Sequence, residues 1–474
     1  MNQATSFFFY DLETSGLDPK TQRIMQFAGQ RTTMDLEPVG EPINVLVKLP
    51  DDVVPSPGAA LITGLTPQQT QADGLSEPDF LRLLFTDVFT PGTIVTGFNN
   101  VRFDDPYLRY TLYRNFYDPY AWAWQDGRSR WDLLDVVRMT RALRPEGIEW
   151  PIDANGDPVN KLEALAAANG LEHIKAHDAM SDVVALIAVA RLIRQHQPKL
   201  YDYLLRLRAK REVETVVAAP AGEPFAYTSA MYGRSNQFTT AAVAVGAPAG
   251  RSGCYYVYDL RHDPTPYAGL SPDELRERLF TSGAELQRRG LERLPVKELN
   301  VTHCPAVAPL ATLVPVAERL GIDLAAVRRH HTDLMAGDLP ARIVAAYAGR
   351  EAPAQGGDAD GALYDGFLND DDRAAADTVR AATADQLAGL QPAFADARLP
   401  ELWLRYKGRH FPNTLSPEDH PRWEAYRRQR IESAIPEFVA EFNQLAAAPD
   451  ITPAKQLVLE DLRLWVESIY PAGD

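Results

Sequence analysis

Only two cysteines, Cys254 and Cys304, occur among the 474 residues. That is too few for a disulfide framework and fits a reducing compartment. No apolar run approaches the roughly eighteen residues that a membrane span needs. The opening residues Met1 to Ser6 lack the basic start and small-residue cleavage pattern of a secretory leader. The expectation is a cytoplasmic protein with no membrane partner. Basic charge is also in short supply, with 48 Lys and Arg against 64 Asp and Glu and a net charge of −16. At first sight this balance argues against a nucleic-acid partner, but its distribution weakens the objection. Residues 351–474 carry 22 acidic and 12 basic side chains, whereas residues 201–300 carry 12 and 13. A local groove can be positive on an acidic protein, and carboxylates that hold metal ions count as negative until the ions are included.

The chain is too long for one compact core, so two or three domains are expected. Residues 7–200 alternate strand and helix patterns. Phe7 to Leu12, Ile24 to Thr33, Ile43 to Leu49 and Thr93 to Phe98 read as strands. Pro78 to Phe89, Trp131 to Leu143, Lys161 to Ala168 and Ser181 to His196 read as helices, the third stopped by Asn169-Gly170. Strands with helices packed around them imply an α/β domain. Residues 213–260 are short β-like segments split by Gly and Pro. The stretch Glu351 to Gly361 is small, polar and unpatterned, which suits a linker. Beyond it the pattern is helical to the end. The division expected is 1–200, 201–350, a linker at 351–361, and 362–474.

The chemistry concentrates in the first domain. Asp11-Leu12-Glu13 directly follows a strand, and carboxylates two apart in extended backbone point to one side, where they can share a hard cation such as Mg²⁺. Alone, D-x-E is a weak signal, and the pair reads more readily as an exposed acidic turn. Asn100-Val101-Arg102-Phe103-Asp104 follows another strand, and Asp104 would add a third carboxylate; Asp105 beside it is the competitor. Either could simply face a helix dipole. His177 and Asp182 lie where a loop enters the long helix. Asp182 would be a fourth carboxylate, and His177 could take the proton from an attacking water, since a free imidazole titrates near neutrality. Asp178 and Ser181 fit helix caps as well as anything else.

In this order, D-x-E, N-x-x-x-D and H-x-x-x-x-D resemble the DEDD exonuclease superfamily in its histidine-bearing branch. The other branch carries a tyrosine nearer the last aspartate, where this sequence has Met180 and Ser181. A closer resemblance, to the exodeoxyribonuclease I family, rests on the runs PGAALITGLTPQ, NNVRFDD, YRNFYDPYAW, SRWDLLDV, ALRPEG and AHDAMSD. It continues through KELNVTHCP, LYDGF and RHFPNTL, so it covers nearly the whole chain. The resemblance implies an RNase H-like α/β nuclease domain with a mixed sheet and flanking helices, then an SH3-like β-barrel and a C-terminal all-helical domain. It also implies 3′→5′ degradation of single-stranded DNA to 5′-mononucleotides, in DNA repair and recombination. By the same resemblance Asp11, Glu13, Asp104 and Asp182 hold two Mg²⁺ ions (or Mn²⁺), and His177 is the general base. Glu13 also contacts substrate.

Single strands are held by stacking and by cations along the backbone. The segment from Arg109 to Trp131 interleaves both kinds of side chain, and about half of its aromatics are expected to be core. The family pattern places Arg109, Tyr120, Trp124, Arg138 and Lys161 near DNA, with Lys297, Tyr364 and Lys407 further along. Well-known members carry arginine where Lys161 stands, so charge is kept but a forked phosphate contact is not. Family members also bind the acidic C-terminal tail of the single-stranded DNA-binding protein. Arg144 would meet its terminal carboxylate and Tyr203 would line its apolar pocket. Here Pro309 and Val314 replace a polar and a basic residue of the pattern, which implies weaker binding. Arg144 could instead pair with Glu146 or a helix end. A monomer is expected. The other readings are an exoribonuclease of the same superfamily and a catalytically silent single-stranded DNA-binding protein.

Overall fold

The computed structural model describes residues 5–171, 178–218, 222–350 and 357–470. The chain divides into two compact units. One comprises Met1–Ser129, His173–Val184 and Ala354–Asp474; the other comprises Arg130–Glu172 and Ala185–Pro353.

In the first unit, strands β1 (Ser6–Thr14), β2 (Ile24–Thr32), β3 (Ile43–Leu46) and β4 (Thr93–Gly97) lie in the order β3-β2-β1-β4. β1 pairs antiparallel with β2 and parallel with β4, so the sheet is mixed. β1 is central and buried along most of its length because Phe7-Phe8-Phe9-Tyr10 offers apolar groups to both faces. Phe8, Tyr10 and Leu12 join Phe80, Tyr107 and Leu108 in one core. Alternation then sends Asp11 and Glu13 to the opposite face. The helix Asp104–Arg114 follows β4 closely.

The C-terminal part of this unit is helical, with helices Asp370–Ala381, Leu399–His410, Asp419–Ala446 and Pro453–Ile469. Two apolar clusters seat it on the sheet portion. Tyr110, Tyr113 and Phe116 pack with Leu402, Trp403 and Tyr406. Met25, Leu49 and Val53 pack with Ile431, Phe438 and Trp465, and the Trp465 indole donates to the Val53 carbonyl at 3.1 Å.

β5 (Ser129–Asp132) and the helix Ala179–His196 straddle the division between the units. The second unit carries β6 (Phe225–Thr228), β7 (Thr239–Gly246), β8 (Cys254–Asp259), β9 (Val296–Asn300) and β10 (Ala306–Pro309). They form an antiparallel sheet in the order β10-β6-β7-β8-β9. Among the described residues no helix is long and apolar enough to cross a membrane.

Several element boundaries differ from the sequence expectation. Trp131 and Asp132 belong to β5, and the helix starts at Leu133 because the Asp132 carboxylate caps the Leu134 amide at 3.0 Å. The helix expected over Pro78 to Phe89 is α-helical only over Glu77–Leu83 and then widens into a π turn at Leu84–Val88. Val213 to Val217, the start of the stretch read as short β-like segments, lies on the helix Lys210–Val217. Val213 and Val217, four apart, form its buried stripe. Asp360, inside the stretch read as linker, is fully buried.

Candidate active site

Asp11 and Glu13 stand opposite Ala28 and Gln26 on β2, and the register shifts immediately after Glu13. Such a bulge bends the strand where it re-aims a side chain. Asp104 is the first helical residue of Asp104–Arg114, and Asp182 lies in the first turn of Ala179–His196. Two helix N-termini thus bring partial positive charge to carboxylates that the sheet edge gathers. Carboxylate oxygens of Asp11, Glu13 and Asp182 all lie within 4.8 Å of one another. Asp104 is near enough for its charge to act on Asp11.

The electrostatics follow from this crowding. Burial first, then the charges of Asp104 and Asp182, push the Asp11 carboxyl well above the usual carboxylate range. Burial, with Asp11, Asp182 and Asp178, pushes Glu13 up to about 9. Acidic groups crowded this closely take up protons unless cations balance them. Hard oxygen donors at this spacing suit divalent ions such as Mg²⁺, so the residues present fit the metal that the motif implies.

A pH dependence follows. Folded Glu13 keeps its proton up to about 9, whereas the unfolded chain releases it near the ordinary value of 4.5. Between these values the folded state binds more protons, so stability falls as pH rises. In EDTA the melting temperature should therefore decline from about pH 5 to pH 9. Added Mg²⁺ should restore most stability at the alkaline end. A melting temperature indifferent to Mg²⁺ throughout that range would contradict the site.

The neighbouring acids are otherwise engaged. Asp105 is 0% exposed and accepts from the Tyr10 hydroxyl at 2.7 Å and the Asn100 amide at 3.3 Å. Its anchor, Tyr10, went unnoticed in the sequence because a tyrosine in a Phe-rich strand reads as core. Asp178 accepts from the Ser181 amide and hydroxyl at 3.2 and 3.0 Å, as a helix cap does. His177 lies outside the described residues.

The expected DNA contacts fall into different surroundings. In the first unit, the Arg109 guanidinium sits over the Tyr120 ring at 5.6 Å, and Trp124 is 66% exposed. Of the aromatics between Arg109 and Trp131, Tyr110, Tyr113, Phe116 and Trp122 are core. Tyr364 meets Tyr110 edge-on and remains exposed, as does Phe367, whose ring lies 5.9 Å from that of Tyr120. Phe367 carries no signal of this exposure in the sequence beyond ending the run LYDGF. Lys407 is buried, paired with Asp419 at 3.1 Å.

In the second unit, Lys161 is exposed at the start of Leu162–Ala168. Arg138 pairs with Asp135 at 2.8 Å and lies 5.0 Å from the Phe238 ring. Lys297 donates to the Ser229 hydroxyl at 2.7 Å and faces the Tyr227 ring. Arg144 ends the helix Leu133–Leu143, its guanidinium donating to the Leu143 carbonyl. The Tyr203 hydroxyl donates to the Val307 carbonyl at 3.1 Å, and burial pushes its pKa to about 12.

Three family descriptions match successive stretches of the chain: Exonuclease over residues 8–190, Exonuclease I SH3-like domain over 208–348, and Exonuclease I C-terminal domain over 357–469. Exodeoxyribonuclease I of Haemophilus influenzae is 40% identical, the alignment covering 93% of this chain and 93% of that one. The crystal structure of E. coli exonuclease I with a dA16 oligonucleotide superposes with a TM-score of 0.95 at 38% identity, over 98% of this chain and all of that one. A structure of SSB/exonuclease I with the inhibitor CFAM superposes with a TM-score of 0.90 at 37% identity, over 98% and 100% of the two chains. With likeness of this extent on both counts, the chain belongs to the exodeoxyribonuclease I family.

Proposed function

We propose that this chain is a metal-dependent 3′→5′ exonuclease that hydrolyses single-stranded DNA to 5′-mononucleotides. The observation that carries the reading is the convergence of Asp11, Glu13 and Asp182 oxygens within 4.8 Å in a chain of this family. Asp11, Glu13, Asp104 and Asp182 would hold two divalent ions, Mg²⁺ by preference, with Mn²⁺ able to replace it. Held by these residues, the ions would supply activation of the attacking water and stabilisation of the leaving 3′ oxygen. β1 supplies a rigid base for two ligands, and the helix starts at Asp104 and Ala179 fix the other two. His177, by its place in the family motif, takes the proton from the attacking water on an imidazole nitrogen. Trp124 offers an exposed face for base stacking, the Arg109–Tyr120 pair a preformed cationic edge, and Lys161 a phosphate contact. Arg138, Lys297 and Lys407 would reach DNA only on leaving their present partners; Tyr364 would not need to.

We propose the division 1–200, 201–350 and 362–474, the connecting stretch 351–361 carrying near its end the buried Asp360, which is paired with Arg409 and Arg430 of the last domain, and a cytoplasmic, monomeric protein acting in DNA repair. The placement of the three family matches within or close to those borders supports the division. The test of activity uses single-stranded DNA, single-stranded RNA and blunt duplex, each labelled at one end. The expected result is release of mononucleotides from the 3′ end of single-stranded DNA in Mg²⁺, none in EDTA, and little from duplex. Product appearing first from the 5′ end would overturn the polarity, and equal rates on RNA would favour an exoribonuclease.

The SSB/exonuclease I structure supports a second proposal, that this chain binds the acidic C-terminal tail of a single-stranded DNA-binding protein through Arg144 and Tyr203. Pro309 and Val314 withhold polar and basic contacts from the acidic stretch of the tail. Affinity should therefore be weaker, and its salt dependence shallower, than where those contacts exist. In titrations with a labelled tail peptide, Arg144→Ala should lose binding yet keep nuclease activity on bare DNA. Unchanged binding would remove Arg144 from the site.

A further inference from the structure

A buried ionic cluster lies in the first unit, away from the carboxylate hollow. Asp360 is 0% exposed. It receives Arg23 Nη2 at 3.1 Å, Arg430 Nη1 at 3.3 Å and the Tyr426 hydroxyl at 3.3 Å, and the guanidinium groups of Arg405 and Arg409 lie against it. Asp52, equally buried, receives Arg409 Nη2 at 2.7 Å. Burial alone would raise both carboxyl groups, but the arginines, Arg409 foremost, hold them well below the usual range.

Cohesion is a poor explanation for this cluster. Buried ion pairs add little net stability over apolar packing, and two apolar clusters already join the helical part to the sheet. What the arginines do besides is hold backbone carbonyls of the loop that leaves β1 just past Glu13. Arg23 Nη1 donates to the Thr21 and Gln22 carbonyls at 3.1 Å each. Arg430 Nη2 donates to Thr21 at 2.5 Å, and Arg114 Nη1 to Pro19 at 3.0 Å. The loop closes through the Ser15 amide on the Arg23 carbonyl and the Arg23 amide on the Ser15 hydroxyl, both at 2.9 Å. Ser15 is two residues from Glu13.

We infer that Asp360 is a positioning residue for the metal-binding carboxylates: through Arg23 and Arg430 it fixes the loop after β1, and with it the aim of Asp11 and Glu13. The inference rests on the metal reading proposed above. The C-terminal helical part then contributes to the reaction by setting metal affinity from a distance, as partners of metal ligands do.

The test measures Mn²⁺ binding to the full-length protein by electron paramagnetic resonance, and hydrolysis against Mn²⁺ concentration. Asp360→Asn and Arg23→Lys are compared with wild type, with thermal melting as the check on folding. Lysine keeps the charge but cannot serve Asp360 and two carbonyls together. Half-saturating Mn²⁺ should rise several-fold, short of the roughly 10–100-fold that losing a direct partner of a ligand costs, and the rate at saturating Mn²⁺ should largely recover. Should Asp360→Asn not fold, Arg23→Lys and Arg430→Lys decide, since each preserves the cluster's charge. Wild-type Mn²⁺ affinity in folded variants overturns the inference. Failure of the wild type itself to bind Mn²⁺ overturns the metal reading instead.

Discussion

Asp11→Ala, Glu13→Ala, Asp104→Ala and Asp182→Ala should each reduce hydrolysis of single-stranded DNA by about 10³-fold or more. Losing a ligand forfeits several kcal/mol of charge stabilisation in the transition state, and each 1.36 kcal/mol is about tenfold in rate. The fold should survive. Asp11 is held against its own burial and the charges of Asp104 and Asp182, so its removal should raise the melting temperature of the EDTA-treated protein. Loss of activity together with gain of metal-free stability separates a site residue from a structural one. Asp105→Ala should behave in the opposite sense. It strands the Tyr10 hydroxyl, at a cost of about 1–3 kcal/mol in stability, and should affect the rate much less. Asp178→Ala should lose only a helix cap. An inactive Asp105→Ala beside an active Asp104→Ala would show that the third carboxylate is misassigned.

His177→Ala should lower turnover by roughly 10²–10⁴-fold, the usual contribution of a general base, with DNA binding largely kept. In the wild type the rate should climb as pH rises through the imidazole range, about 6.5, because only the neutral ring accepts a proton. The variant should lack that limb. An unchanged rate and profile would make His177 structural.

What was legible in the sequence follows from how local each signal is. Asp11 and Glu13 could be read because strand geometry alone puts residues two apart on one face. Short-range rules put Asp104 and Asp182 near helix starts, but the preference for Asp104 over Asp105 comes only from the family resemblance, since both lie in one first turn. The π turn after Leu83 has no such local signature. Asp360 was illegible for a different reason. It sits in a small, polar, patternless stretch, and its partner Arg23 is 337 residues away. The family pattern places Arg138 and Lys407 near DNA, and no local signal announces that both are engaged with carboxylates, Asp135 and Asp419.

Divalent ions held by the strand-end carboxylates can be seen by crystallising the protein with Mn²⁺ and locating the ions by anomalous scattering. Peaks are expected within about 2.5 Å of oxygens from Asp11, Glu13 and Asp182, lost in Asp182→Ala. Crystals that still cleave DNA with no Mn²⁺ at these residues, or with Mn²⁺ bound only elsewhere, would contradict this placement of the ions.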